Sequence, residues 1–449
     1  MAFLQAGTLA LIGKLSLLLI ASAMGVMLPM VLMPAKVGTF FLAQIAIATG
    51  AVAAQAGLTL TVPTLVGQAL SVSDTARAGA VCRTALGVCL VGALTVCLAA
   101  WGMFQLFPTL MSSFFGTGGW LAVLVFAIIP LAALSAVLTE IHRAARGMAI
   151  ASLLPAAQGG AIASLLAISL AFSLRPTTEQ LLFAGWVGLM AGTVVGLARL
   201  QAKLSLWPGP GKTIVRPMEL AILAWPGLLT SLTLLTVSVA DQAIAGAFGG
   251  TVDAAHYGLG FRLANLLTLP LAIVNATIIP HIVERWTIGH RRRLQWLLTM
   301  TASGATYCAL LGFAALIVID IVGPAPIWDQ SYAPALTVAV ILGLAQVIHT
   351  AGGSSGYLLL LLGYQKAFMA LTLIVGLPTL GIAAWVMVHF GVLGLATTMA
   401  AANAIQTVIS IVMTKWLLGL DAVARPLNPL RLYRALVRPV FNTGRLRQG

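Results

Sequence analysis

Two ionisable residues sit where the sequence is otherwise most apolar: Asp241 and Arg262. A charge at the centre of a bilayer costs roughly 2.5–3.5 kcal/mol on insertion scales, so each needs a partner or a wet cavity. A turn near 251–252 puts Asp241 about ten residues before it and Arg262 about ten after it. Two antiparallel helices would then carry both to similar depth, ~9 Å below the interface once ~4 loop residues a side are allowed. Two readings stay open. The residues form an ion pair stapling two helices, or Arg262 faces a cavity, where its forked donors suit phosphate oxygens or an acidic sugar in a low-dielectric site. The readings are compatible if Asp241 holds Arg262 until an anion displaces it.

Other polar side chains interrupt apolar stretches. His349 follows Gln346 and precedes the small-residue run 351–356. A histidine there could couple protons or bind phosphate when charged, or simply bond a neighbouring helix. Gln44, Gln55, Asn265, Asn275, Gln346, Asn403 and Gln406 are amides in apolar surroundings, and each needs a partner. Sugar hydroxyls in a wet cavity would serve, and so would facing helices. Two basic clusters, Glu140-His142-Arg143-Arg146 and His281-Glu284-Arg285-Arg291-Arg292-Arg293, end apolar runs. They read as an entrance drawing in anionic headgroups (Arg143, Arg146, Arg285 and Arg291 foremost) or as topogenic charge against anionic lipid. No metal cluster and no catalytic constellation is expected. Cys82, Cys89, Cys97 and Cys308 all fall in apolar stretches and read as small hydrophobes.

The elements that must hold these residues follow from composition. Of 449 residues 60% are apolar and 8% charged, against about 25% charged in soluble domains. That excludes a soluble enzyme, a secreted disulfide scaffold and a disordered chain, and leaves a polytopic membrane protein. Apolar runs place helices at about 11–33, 37–65, 81–107, 119–141, 149–173, 180–200, 219–247, 255–283, 294–319, 333–361, 367–390 and 393–417. The first resembles a signal peptide only superficially, because Lys14 lies within the run. With these twelve spans, of the 24 Lys and Arg only Lys36 and Arg175 fall on one side and Arg262 within a span; the remaining 21 share the other side. The positive-inside rule puts that side, and both termini, in the cytoplasm. A net charge of +14 distributed in this way speaks for topology and anionic lipid rather than for nucleic acid.

The chain also matches itself. Val62-Pro63-Thr64-Leu65-Val66 and Ile279-Pro280-His281-Ile282-Val283 lie 217 residues apart, as do Phe40 and Tyr257. Six spans separate each pair, so the halves share one orientation, a parallel repeat about an axis along the membrane normal. The expected architecture is an all-α membrane protein of two six-helix bundles, 1–200 and 219–417. A Pro/Gly-rich basic linker at 201–218 joins them, and a basic cytoplasmic tail follows at 418–449. Gly211-Lys212-Thr213 in the linker is not a phosphate-binding loop, since position 206 is Leu and no strand precedes it. Two like-oriented bundles with loops too short for an aqueous active site predict a transporter working by alternating access.

Pro34-Ala35-Lys36-Val37-Gly38-Thr39-Phe40 with Gln55-Ala56-Gly57-Leu58, Asp241-Gln242-Ala243-Ile244-Ala245-Gly246 with Tyr257, Arg262-Leu263-Ala264 and Pro280, and Tyr332-Ala333-Pro334-Ala335-Leu336 with Gly363-Tyr364-Gln365 and 390–396 run along most of the chain. Together they resemble Wzx-type polysaccharide flippases, of the superfamily that includes MATE drug exporters and lipid II flippases. The resemblance implies movement of an undecaprenyl-pyrophosphate-linked oligosaccharide from the cytoplasmic to the periplasmic leaflet of a bacterial inner membrane, without a cofactor. The implied partners are that lipid, the surrounding membrane lipids and, as an open option, the polysaccharide polymerase machinery.

The chain departs from that pattern in places. Gln55 stands where many relatives carry an acid, and Lys36 where the loop is often acidic. Lipid II flippases typically have fourteen spans. The alternative is a MATE-like ion-coupled exporter of small molecules, which would want a lone carboxylate in its cavity; only Asp241 qualifies, and Arg262 is opposite.

Overall fold

The computed structural model describes residues 20, 23–106, 119–145, 147–205, 216–325 and 327–425. Most of the first expected span, Arg146, the middle of the linker and the tail beyond 425 lie outside them. The described residues are almost entirely helical. After a short helical run at 23–31 come α1 (Pro34–Ala54), α2 (Leu58–Ser71), α3 (Thr75–Leu106), α4 (Gly119–Ala144), α5 (Met148–Ala171), α6 (Thr178–Ser205) and α7 (Pro217–Leu266). Then follow α8 (Leu269–Thr287), α9 (Arg291–Val322), α10 (Ala333–Ala351), α11 (Ser355–Leu361) and α12 (Gln365–Leu418). Among the described residues nine helices are long and apolar enough to cross a membrane.

Two of these are each a pair of helices joined at a glycine. Gly250 breaks α7 with φ +79, and Gly391 breaks α12 with φ +67. The chain folds back at both. Tyr257 Oη donates to Asp241 Oδ2 at 2.8 Å across 16 residues, which a straight helix would hold ~24 Å apart. Gln406 Nε2 likewise reaches Thr372 Oγ1 at 3.1 Å.

Three expected spans, 37–65, 255–283 and 333–361, are not continuous. The helix stops at Gln55-Ala56-Gly57, at Leu267-Thr268 and at Gly352-Gly353-Ser354. Hydropathy cannot show these breaks, because the flanking stretches stay apolar and a single Gln, Thr or Ser hardly lowers the average of a span. Non-helical backbone at membrane depth persists where protein covers it or a wet cavity receives it. Pro63, Pro130, Pro155, Pro226 and Pro378 lie inside helices without ending them.

α3 shows how the helices divide their faces. Cys82, Ala85, Cys89 and Ala93 form a buried stripe of small side chains, while Leu90, Leu94, Leu98 and Trp101 are each more than half exposed. In water such an outer stripe would be an aggregation hazard. Facing acyl chains it costs nothing, and the small inner residues let helices approach closely.

By packing, the chain divides into two compact units: Met1–Leu259 with Ala325–Tyr332, and Gly260–Pro324 with Ala333–Gly449. This is a division by contact, distinct from the sequence division at 201–218. The 325–332 segment is tied into the first unit by Tyr332 Oη donating to the Leu32 carbonyl (2.6 Å), Trp328 Nε1 to the Val26 carbonyl (3.0 Å) and His256 Nε2 to the Ser331 carbonyl (2.9 Å).

Candidate functional site

In the first unit a cavity of about 280 Å³ opens among α2, α4, α5 and α6, lined by Thr59, Ser135, Thr139, Glu140, Arg143 and Gln158 with Leu154 and Leu189 between them. α4 supplies one wall because Ser135, Thr139 and Arg143 recur every four residues and so share a face. That wall spans ~12 Å from Ser135 to Arg143. At the inner end Gln158 Nε2 donates to Gln44 Oε1 at 3.5 Å, which joins an expected site residue to one that sequence reasoning missed. At the outer end Arg143 Nη1 donates to Glu140 Oε1 at 2.6 Å. The Arg143 side chain is 52% exposed, so the pair contributes on the order of 0–1 kcal/mol. An ion pair that weak holds Arg143 in place yet yields it readily to a phosphate.

Other basic groups near that mouth are committed to structure. His142 Nε2 donates to the Gly196 carbonyl at 3.0 Å, and Lys203 Nζ donates to the Ala145 carbonyl. Both tie α4 to α6. Gln55 is buried at the α1–α2 break.

Asp241 lies in the first unit. Tyr257 Oη donates to Oδ2, and the Gln242 N–H donates to Oδ1 at 2.8 Å. The turn lies at Gly250, so Tyr257, seven residues past it, faces Asp241, nine before it. The sequence held the signal, a lone tyrosine in the second arm at matching depth. Tyr257→Phe is expected to destabilise the protein by about 1–2 kcal/mol, since a hydrogen bond to a carboxylate is lost in a buried place. Denaturation of the detergent-solubilised protein measures it; an unchanged midpoint means that Asp241 does not need this donor.

The second unit carries a polar column. Gln346 Nε2 donates to Asn265 Oδ1 at 3.0 Å, one helical turn from Arg262. His349, one turn further along α10, sets Nδ1 3.3 Å from Thr407 Oγ1. Ser354 Oγ donates to Asn275 Oδ1 at 2.5 Å, and Thr414 Oγ1 donates to the Ser355 carbonyl at 3.1 Å. The structure thus brings Asn265 and Gln346 together, places His349 beside them and gives Asn275 its own partner. Thr407 and Ser354 were not singled out, because hydroxyls in apolar helices are common and usually bond their own backbone. At the end of this unit Arg291 lies over the Trp286 ring, 4.8 Å from its centroid, and Arg285 Nη1 reaches the Arg293 carbonyl at 3.5 Å. Among the described residues no group of His, Cys, Asp and Glu could hold a metal.

No family model matches the chain, and no curated protein sequence matches it. Solved structures do. A multidrug resistance MATE family transporter of the MOP superfamily, in an inward-facing conformation, is similar with a TM-score of 0.69 at 16% identity, over 90% of this chain and 94% of that one. The lipid II flippase MurJ, inward closed, gives 0.64 at 12% identity over 92% and 87%. A MOP superfamily transporter from Pyrococcus furiosus, described as having reversed polarity in its binding pocket, gives 0.51 at 16% identity over 93% and 95%. At these identities the likeness is one of fold, and the chain has the fold of MATE and other MOP-superfamily transporters.

Proposed function

We propose that this protein is a membrane transporter, not an enzyme, that flips an undecaprenyl-pyrophosphate-linked oligosaccharide to the periplasmic leaflet of a bacterial inner membrane for surface polysaccharide synthesis. Twelve spans in two like-oriented halves, both termini cytoplasmic, would rock about a central site. Support for the repeat comes from helix bounds. Thr75 and Arg291 begin α3 and α9, Met148 and Gln365 begin α5 and α12, and Ser71 and Thr287 end α2 and α8, each pair 216 or 217 residues apart.

The observation that carries the substrate reading is the polarity of the available sites. The first unit offers hydroxyls and amides behind Arg143, a lining suited to sugars and a phosphate. Asp241, the carboxylate that a cation exporter would need, already has a donor on each oxygen. A pyrophosphate carries about two negative charges, so outward movement across an inside-negative membrane gains roughly 4–5 kcal/mol per 100 mV. That drives the process without an ion site.

Deleting the gene is expected to remove the surface glycan and to build up lipid-linked oligosaccharide on the inner leaflet. Unchanged glycan with raised drug susceptibility would instead favour an exporter of small molecules. In vesicles, collapsing the membrane potential with the pH gradient intact is expected to slow flipping; an unchanged rate removes the proposed driving force.

A further inference from the structure

The chain leaves α12 at Gly419, with φ +65, and then runs without helix through Arg425. This segment is not a free end. Gln295 on α9 grips residue 421 twice: the Asp421 N–H donates to Oε1 at 2.9 Å, and Nε2 donates to the Asp421 carbonyl. Ser303, further along α9, accepts from the Arg425 N–H at 2.9 Å, and its single O–H is shared between the Thr299 carbonyl at 2.7 Å and the Arg425 carbonyl at 3.0 Å. The spacings agree. Eight residues of helix rise ~12 Å, and four residues of extended chain span ~13 Å. The strap therefore runs alongside α9 for its whole length.

On its other side the strap meets the α10–α11 break. The Ala424 N–H donates to the Ala351 carbonyl at 2.8 Å, a carbonyl at the last residue of α10, where the helix ends. Gly353, with φ +61, makes room: a Cβ there would lie 2.3 Å from the Ala422 carbonyl oxygen. Leu420 and Ala422 point into an apolar floor that includes Ile282, Leu294, Leu298 and Leu358. Asp421 clips the strap to itself, accepting from Arg425 Nη2 at 2.8 Å and from the Val423 N–H at 3.2 Å. That guanidinium holds the Asp421 carboxyl below its ordinary range. Ser354, whose hydroxyl donates to Asn275, follows Gly353 directly in the chain.

We propose that residues 419–425 are a detachable plug. They fill a groove between α9 and the α10–α11 break, with polar groups along its walls and an apolar floor, and their departure opens that groove to water and frees the break to flex. The seat is fastened mainly by hydrogen bonds to backbone, which water can replace. Only two non-helical apolar side chains are buried by it, set against the ordering of seven residues. A segment so balanced opens locally without unfolding its neighbours. The seat is independent of what the protein transports, so the test needs no substrate.

Hydrogen exchange on the purified full-length protein reads it directly. The amides of Asp421, Ala424 and Arg425 are expected to exchange at least tenfold faster than the buried α9 amides between Leu298 and Ala305. Truncation after Leu418 is expected to raise exchange across α11 while leaving the protein monodisperse, and truncation after Arg425 to leave it unchanged. A Ser303→Cys/Arg425→Cys disulfide is expected to slow strap exchange until it is reduced. Strap amides as slow as those of α9, a Leu418 truncation that aggregates, or α11 exchange that rises equally in both truncations would each overturn the plug.

Discussion

Cells carrying Arg262→Ala are expected to make a normal amount of membrane-inserted protein and to export no more glycan than the gene deletion. The two halves of that statement come from opposite signs of one quantity. Removing a charge from a span lowers the insertion cost by roughly 2.5–3.5 kcal/mol, so biogenesis should not suffer. Removing a guanidinium from a desolvated phosphate costs roughly 2–5 kcal/mol, because the anion is left without its partner. At 1.4 kcal/mol per tenfold, that is on the order of 30- to 3,000-fold in affinity. Arg262→Lys should fall between, since it restores charge but not the fork. Arg262 lies one turn from the Asn265–Gln346 pair in the second unit, and a phosphate bound there would find neutral donors next to the charge. Full export by Arg262→Ala would reduce Arg262 to a structural residue and withdraw the anion site; low export with low protein in the membrane would point to the helix staple instead.

That the chain is built of long apolar helices was legible because the bilayer imposes them. About twenty apolar residues are needed per crossing, and that demand leaves its mark on composition whatever the helices pack against. The asymmetry of Lys and Arg added an expected orientation. Interruptions within spans were not legible, because they depend on partners distant in sequence. Gln55-Ala56-Gly57 reads as ordinary apolar helix until Ala224 is known to lie against it, and Gly352-Gly353 reads as a packing stripe until the strap is known to pass. The polar side chains inside the spans were legible by residue type and not by pairing. Gln44, Asn265 and Gln346 were identifiable as amides that need partners, but Gln158 and Thr407 could be found only through the fold. Asp241 is the instructive case. The two-arm geometry points to Arg262 by charge and is silent on Tyr257, a neutral residue of the second arm that donates to Oδ2.

Gly57→Ala is expected to be strongly destabilising. Gly57 stands at φ +80, ψ 2 as the cap of α2, a left-handed conformation that costs other residues about 1–2 kcal/mol. The added carbon would lie 2.1 Å from the Ala224 carbonyl oxygen and 2.4 Å from the Leu228 nitrogen. Those atoms are backbone of α7 and cannot rotate aside, so the helices must separate. Overpacking of this kind typically costs a further 1–3 kcal/mol. Gly227 faces it, so two glycines meet backbone to backbone, as small residues do where membrane helices cross most closely. A total of about 2–5 kcal/mol against a stability of 5–15 kcal/mol should lower the thermal midpoint in detergent by several degrees and reduce the yield. Gly67→Ala, ten residues along in α2, is the control: beyond its own helix backbone no atom lies within 4 Å of its Cβ position, and the change should be neutral or slightly stabilising. If the two variants melt alike, the α2–α7 crossing is looser than the backbone contact implies, and the broken helix does not owe its place to that glycine.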